Sequence, residues 1–169
     1  LHSPSTDDDV NSLSSSLDDM SLQAISSYNR DYWCRGRYTI AVDRNNNNDV
    51  VKVVSSYNSK KKILFNKLLM KDIIKRLMCV DYNLDSENIH CFSVLKFNDN
   101  KGVNRSKIAL RADPDFHKKP WMDWCMIEWE DDDGIKTNYP GRVLMFIDAQ
   151  KTKFKSNVVN DKGRLLAVI

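Results

Sequence analysis

Apolar and polar positions alternate along residues 37–43 (RYTIAVD) with the period of two that a half-buried strand needs. A run of asparagines follows at 45–48, and a β-branched stretch resumes at 50–55 (VVKVVS). Asparagine tolerates left-handed backbone angles, so this pattern predicts a turn inside a first hairpin. The period then changes. From Ser59 to Val80 there is no Gly or Pro, and Phe65, Leu69, Ile73 and Leu77 recur every four residues with Ile63, Met70 and Ile74 beside them. That arc predicts one long amphipathic helix over 59–80, capped by Ser59 and packed on a sheet.

Strand-like runs return at 89–97 (IHCFSVLKF) and 105–112 (RSKIALRA), joined by the turn sequence NDNKG and ended by Pro114. Residues 122–130 and 139–149 bracket a second turn, DDDG at 131–134, and predict another hairpin; RLLAVI at 164–169 predicts a last strand. No repeat of 20–50 residues appears. Adjacent hairpins around a single helix predict an α+β fold: a mostly antiparallel, barrel-like β-sheet with one long amphipathic helix. A parallel sheet needs more crossover helices than the chain offers.

The N-terminal part has a different composition. Residues 3–27 are rich in Ser and Asp, too polar to offset the entropy of ordering. Residues 1–27 are therefore expected to be an acidic tail, with 1–12 a linker and 13–27 a weak helix built on Leu13, Leu17, Met20 and Ala24. Residues 28–169 are expected to form a single domain. The tail holds five Asp and no Lys or Arg, and the total charge is +3, so the body carries +8. The chain opens on Leu1 rather than Met, as expected of a fragment or a processed product. With no leader-like region and no 18-residue apolar run, neither a signal peptide nor a membrane span is expected. Cys34, Cys79, Cys91 and Cys125 are far apart and form no CxxC pair. They predict free, mostly buried thiols and an intracellular setting, nucleus or cytosol.

Charge changes the picture of the helix. On a helical wheel Lys60, Lys67, Lys71 and Lys75 fall together, opposite the apolar arc, with Lys61 nearby. Such a row suits a phosphate backbone, although a solvated outer face is the ordinary fate of helical lysines. A second basic cluster, YWCRGR, sets Trp33 between Tyr32 and the pair Arg35 and Arg37. Cations interleaved with aromatics suit nucleic acid, and equally simple cation–π packing. Three of the four tryptophans lie within nine residues, at Trp121, Trp124 and Trp129. They are expected mainly to pack, with Trp124 and Met126 reaching the helix or a partner.

Catalytic signatures are scarce. Asp113, Asp115, Glu128 and Glu130 are the candidates for a metal-dependent nuclease, but a Glu stands where that chemistry wants a Lys. His90 and Cys91 point to opposite faces of a strand. No GxSxG, Walker or GxGxxG sequence is present, and five glycines leave no phosphate-cradling loop. No cofactor or metal is expected.

Pro120, Trp121, Asp123, Trp124, Trp129, Tyr139, Pro140 and Arg142 form a pattern within residues 112–148. It resembles a segment of large proteins from mobile elements and viruses of microalgae and protists. The resemblance implies a small barrel-like accessory domain beside a separate catalytic module, and it carries no functional residues. The expectation is thus a non-enzymatic binding module, for nucleic acid within a larger DNA-handling protein. Lys60, Lys61, Lys67, Lys71, Lys75, Trp33, Arg35 and Arg37 would make the contact. The alternatives are a capsid- or scaffold-type assembly subunit with protein partners, and the divalent-metal nuclease.

Overall fold

The computed structural model describes residues 20–25, 32–57, 61–62, 67–99, 106–117, 119–156 and 165–169. The elements are β1 (Leu22–Ala24), β2 (Tyr32–Arg44), β3 (Val50–Tyr57), β4 (Lys61–Lys62), α1 (Lys67–Leu77), β5 (Asn88–Asp99), β6 (Ser106–Phe116), β7 (Lys119–Met122), β8 (Trp124–Glu130), β9 (Lys136–Arg142), β10 (Met145–Asp148) and β11 (Leu165–Val168). Every pairing among them is antiparallel.

The barrel-like α+β expectation is corrected on two counts. First, the sheet is open. Its path runs β1-β11-β10-β5-β2-β3-β4, and the end strands β1 and β4 do not meet. The cause lies in β5. One edge of β5 pairs with β2 along Asn88–Phe97, while its other edge is shared, β10 taking Cys91 and Phe92 and β6 taking Val94–Asp99. The sheet therefore branches at β5, and among the described residues no pairing joins the β6–β7 branch to either end strand. β7 extends the β6 branch, and β8 and β9 form a separate two-stranded ribbon.

Second, the described helix is short. α1 covers 11 residues of the predicted 59–80 span. Lys61 and Lys62 are extended instead, paired with Tyr57 and Ser56 of β3. Residues 58–60 and 63–66 lie outside the described residues. A lysine cluster would also sit badly against the positive end of a helix dipole, and the first turn of α1 holds no acidic residue to balance it. Lys75 and Arg76 sit in the last turn, where the dipole favours cations. The apolar arc is as the periodicity predicts from Leu69 onward. Leu69, Met70, Ile73, Ile74 and Leu77 are buried in one cluster with Tyr38, Ile40, Val42, Val53, Ile89 and Cys91.

Local chemistry explains the turns. Asn45 Oδ1 accepts from the N–H groups of Asn47 and Asp49, and Asn48 takes φ 62°. Asp131 Oδ1 accepts from the N–H groups of Asp133 and Ile135, and Gly134 takes φ 77°. Pro114 does not end β6; the strand runs on to Phe116 with its register shifted between Asp113 and Phe116. The predicted 139–149 strand is two strands. Arg142 closes the ribbon, and after Val143 and Leu144 the chain enters the main sheet as β10. Residues 22–24, expected to be helical, form β1 against β11, and Met20 and Leu22 are core residues. The acidic linker and the start of the weak helix, expected over residues 1–19, lie outside the described residues.

Gly141 shows how closely the ribbon is fitted. A Cβ there would overlap the side chains of Ile127 and Ile169. Gly141→Ala is expected to cost about 1–3 kcal/mol by overpacking, measured by urea denaturation.

Candidate nucleic-acid interface

Residues directly opposite in an antiparallel pair share a face, so register alone sorts the side chains of β2, β5 and β6. Trp33 stands opposite Lys96, Arg35 opposite Val94, and Arg37 opposite Phe92. Lys96 in turn faces Ala109, Val94 faces Arg111, and Asn98 faces Lys107. One face of this three-stranded region therefore carries Arg35, Arg37, Lys96, Lys107 and Arg111 with Trp33 among them. The alternating positions, Tyr32, Cys34, Leu95, Phe97 and Leu110, belong to or pack against a second apolar cluster, which beyond Gly36 also takes in Phe92, the residue opposite Arg37.

Among the described residues Arg35, Arg37, Lys96 and Lys107 have no ion-pair partner. Arg35, Arg37 and Lys107 are exposed. The Arg37 guanidinium lies 5.4 Å from the centre of the Phe92 ring, which holds it over the sheet while its charge stays in water.

Trp121 joins the same face. It pairs with Asp113, two residues along β6 from Arg111, and the Arg111 guanidinium lies 5.0 Å from its ring centre. Asp123 fixes both. Its carboxylate accepts from Trp121 Nε1 at 2.7 Å and from the Arg111 backbone N–H at 2.8 Å, and lies 3.9 Å from Arg111 Nη1. Its own N–H donates to the Arg111 carbonyl, and its carbonyl accepts from Val143 N–H. The PWMDW sequence is thus a junction that ties β6 and β7 to the start of the ribbon. Asp123→Ala is expected to cost about 1–3 kcal/mol, because two donors lose a charged acceptor. Thermal unfolding checks this, with Asp123→Asn expected to recover part of the loss.

The other sequence-predicted positions lie elsewhere. Tyr38, Ile40 and Val42 share the α1 cluster, so Arg37, adjacent to Tyr38, points away from the helix. Lys71 and Lys75 therefore lie across the sheet from the Trp33–Arg37 group, Lys71 half-buried and Lys75 exposed. Lys60 is outside the described residues, as are the side chains of Lys61 and Lys67. Arg76 is ion-paired with Asp81 and lies over the Tyr82 ring.

The four nuclease candidates do not converge. Glu128 and Glu130 share Lys136, at 2.8 and 3.9 Å, while Asp113 accepts from the Asp115 N–H. No group of three His, Cys, Asp or Glu is placed to hold a metal ion among the described residues.

Burial favours the protonated thiol at Cys34, Cys91 and Cys125. Burial pushes the Cys34 thiol from 9.0 up to about 11, with Asp148 adding to the rise and Arg37 opposing it. Burial raises Cys91 further and lifts Cys125 as well. Since the folded pKa exceeds the unfolded one, stability is full below pH 9.0 and is lost as pH rises through about 11 for Cys34. A thiolate-directed reagent at pH 8 is expected to modify Cys34 and Cys91 much more slowly in the folded chain than in urea, as followed by mass spectrometry. Equal rates would contradict the burial.

Lys96, Lys107, Arg111 and Trp121 are not among the contact residues expected from the sequence. Their signal is the parity of Phe92-Val94-Lys96 and Lys107-Ala109-Arg111, which becomes readable only when the β5–β6 register is known.

The class defined is an open, branched antiparallel sheet with one cationic, aromatic face and a separate two-stranded ribbon. Against known protein families, curated proteins and solved structures, the chain finds no match. No helix among the described residues is long and apolar enough to cross a membrane.

Proposed function

We propose that this chain is a non-enzymatic module that binds single-stranded nucleic acid across the β2/β5/β6 face. The observation that carries the reading is the set of Arg35, Arg37, Lys96 and Lys107 on one face, with no carboxylate pairing them among the described residues. Cations left unpaired on a sheet can each neutralise a phosphate and release its counterion. Trp33 and Trp121 supply ring surfaces on which bases stack, and a duplex keeps its base faces covered, which favours a single strand. The setting suggested by the resemblance of residues 112–148, a DNA-handling protein of a mobile element or virus, agrees with such a module.

A fluorescence-anisotropy titration with a labelled single-stranded oligonucleotide of random sequence tests the reading. Neutralising the phosphates opposite these cations is expected to weaken binding by about 50-fold between 50 and 200 mM salt. Absence of binding at 50 mM salt, or an affinity indifferent to salt, would remove it.

A further inference from the structure

The β8–β9 ribbon is a separate two-stranded sheet, held to the body through Cys125 and Gly141 and ending in a turn at 131–134; ribbons of two strands are marginal on their own. Trp124, Met126, Trp129, Ile135 and Tyr139 are all at least half exposed on it or at its turn. Its tip is acidic: Glu128, Glu130 and Asp131–Asp133 stand against one cation, Lys136. The tip is also pre-shaped, since Asp131 holds the turn through Asp133 and Ile135 N–H. An acidic, aromatic arm of this kind is the complement of the cationic face with Trp33 and Trp121.

The arm does not reach that face within its own molecule. β8 from Trp124 to Glu128 lies along a groove of about 400 Å³ shared with Tyr32, Leu95, Phe97 and Leu110, which point to the side of the sheet opposite Arg35 and Lys96, so the part of the arm left free is its end, Trp129 to Tyr139. At Arg35 and Lys96 the sheet itself separates the two surfaces. We propose that the arm of one copy docks on the Arg35/Arg37/Lys96/Lys107 face of a second copy. Trp129 and Tyr139 would pack beside Trp33, and Asp132 and Asp133 would meet the arginines. The two surfaces differ, so the contact is head-to-tail and propagates into a ring or filament. It uses the face assigned above to nucleic acid, so a neighbour's arm and a nucleic-acid strand compete for it. The proposal does not require nucleic-acid binding to be right.

Charge exchange tests it with the full chain. Sedimentation velocity at low salt is expected to show association that grows with concentration and dissolves with added salt. Asp132→Lys/Asp133→Lys and Arg35→Glu/Arg37→Glu are each expected to weaken self-association about tenfold or more. Both pairs are on exposed positions, and Asp131, which shapes the turn, is left alone. Mixing the two variants restores association, because each then offers the surface the other lacks. A wild-type chain that stays monomeric across the series, variants that associate like wild type, or a mixture that stays apart would each overturn the proposal. The oligonucleotide titration is separate: its failure with restored association in the mixture removes the nucleic-acid reading and leaves the arm contact standing.

Discussion

Replacing Arg35 and Arg37 by glutamate is expected to weaken single-stranded nucleic-acid binding about 100-fold at ~0.1 M salt. Both guanidinium groups are exposed, on one face and two residues apart on β2, so both can meet phosphates along one strand. The substitution removes two cations and adds two anions, leaving Lys96 and Lys107 with little net field. It leaves the core alone, because the alternating residues Cys34 and Tyr38 do the packing. The double variant is therefore expected to keep its unfolding free energy within about 1 kcal/mol of wild type, most of the loss coming from the Arg37 contact with Phe92. The comparison that gives the result meaning is Lys71→Glu/Lys75→Glu. Those lysines are on the helix side of the sheet, and their reversal is expected to change affinity several-fold less. An equal loss in both variants would move the contact off the β2/β5/β6 face or spread it over the whole molecule.

Phe146→Ala is expected to have the largest effect on stability, about 3–5 kcal/mol. Phe146 is fully buried in β10, which lies between β5 and β11, and its direct neighbours in the ladders are Phe92 and Ala167. Neither neighbour has spare length to fill the space a ring leaves. Domains of this size are stable by roughly 5–15 kcal/mol, so the variant stands near the edge of folding. Urea denaturation monitored by tryptophan fluorescence measures the change. Val51→Ala, at a half-exposed position, is the control and is expected to cost no more than about 0.5 kcal/mol. A loss under 1 kcal/mol at Phe146 would mean that the β5–β10–β11 layer is not the core described above.

Local chemistry was legible in the sequence, and long-range connection was not. NNNN and DDDG announced their turns because Asn and Asp side chains hold the backbone themselves, through Asn45 and Asp131. The spacing of Leu69, Ile73 and Leu77 announced a buried helical face. The helix start was misplaced because Lys61 and Lys62 continue a helix-compatible pattern, and only the presence of β3 makes them a strand. Leu22–Ala24 is three residues long and becomes a strand only through β11, more than 140 positions away. An open sheet was invisible for the same reason: nothing local says that β6 and β10 share an edge of β5. The site divides along this line. Trp33, Arg35 and Arg37 are neighbours in sequence and were read directly. Lys96, Lys107, Arg111 and Trp121 reach them only through strand register. The stripe from Lys60 to Lys75 depended on a helix longer than the one described.

The most direct measurement is photo-crosslinking of a single-stranded oligonucleotide to the full chain, followed by mass spectrometry of the crosslinked peptides. The account predicts adducts on peptides containing Trp33 and Trp121, with Lys96 or Lys107 peptides beside them. Adducts confined to 67–77 or to 124–139 would contradict it, since those segments lie away from the cationic face.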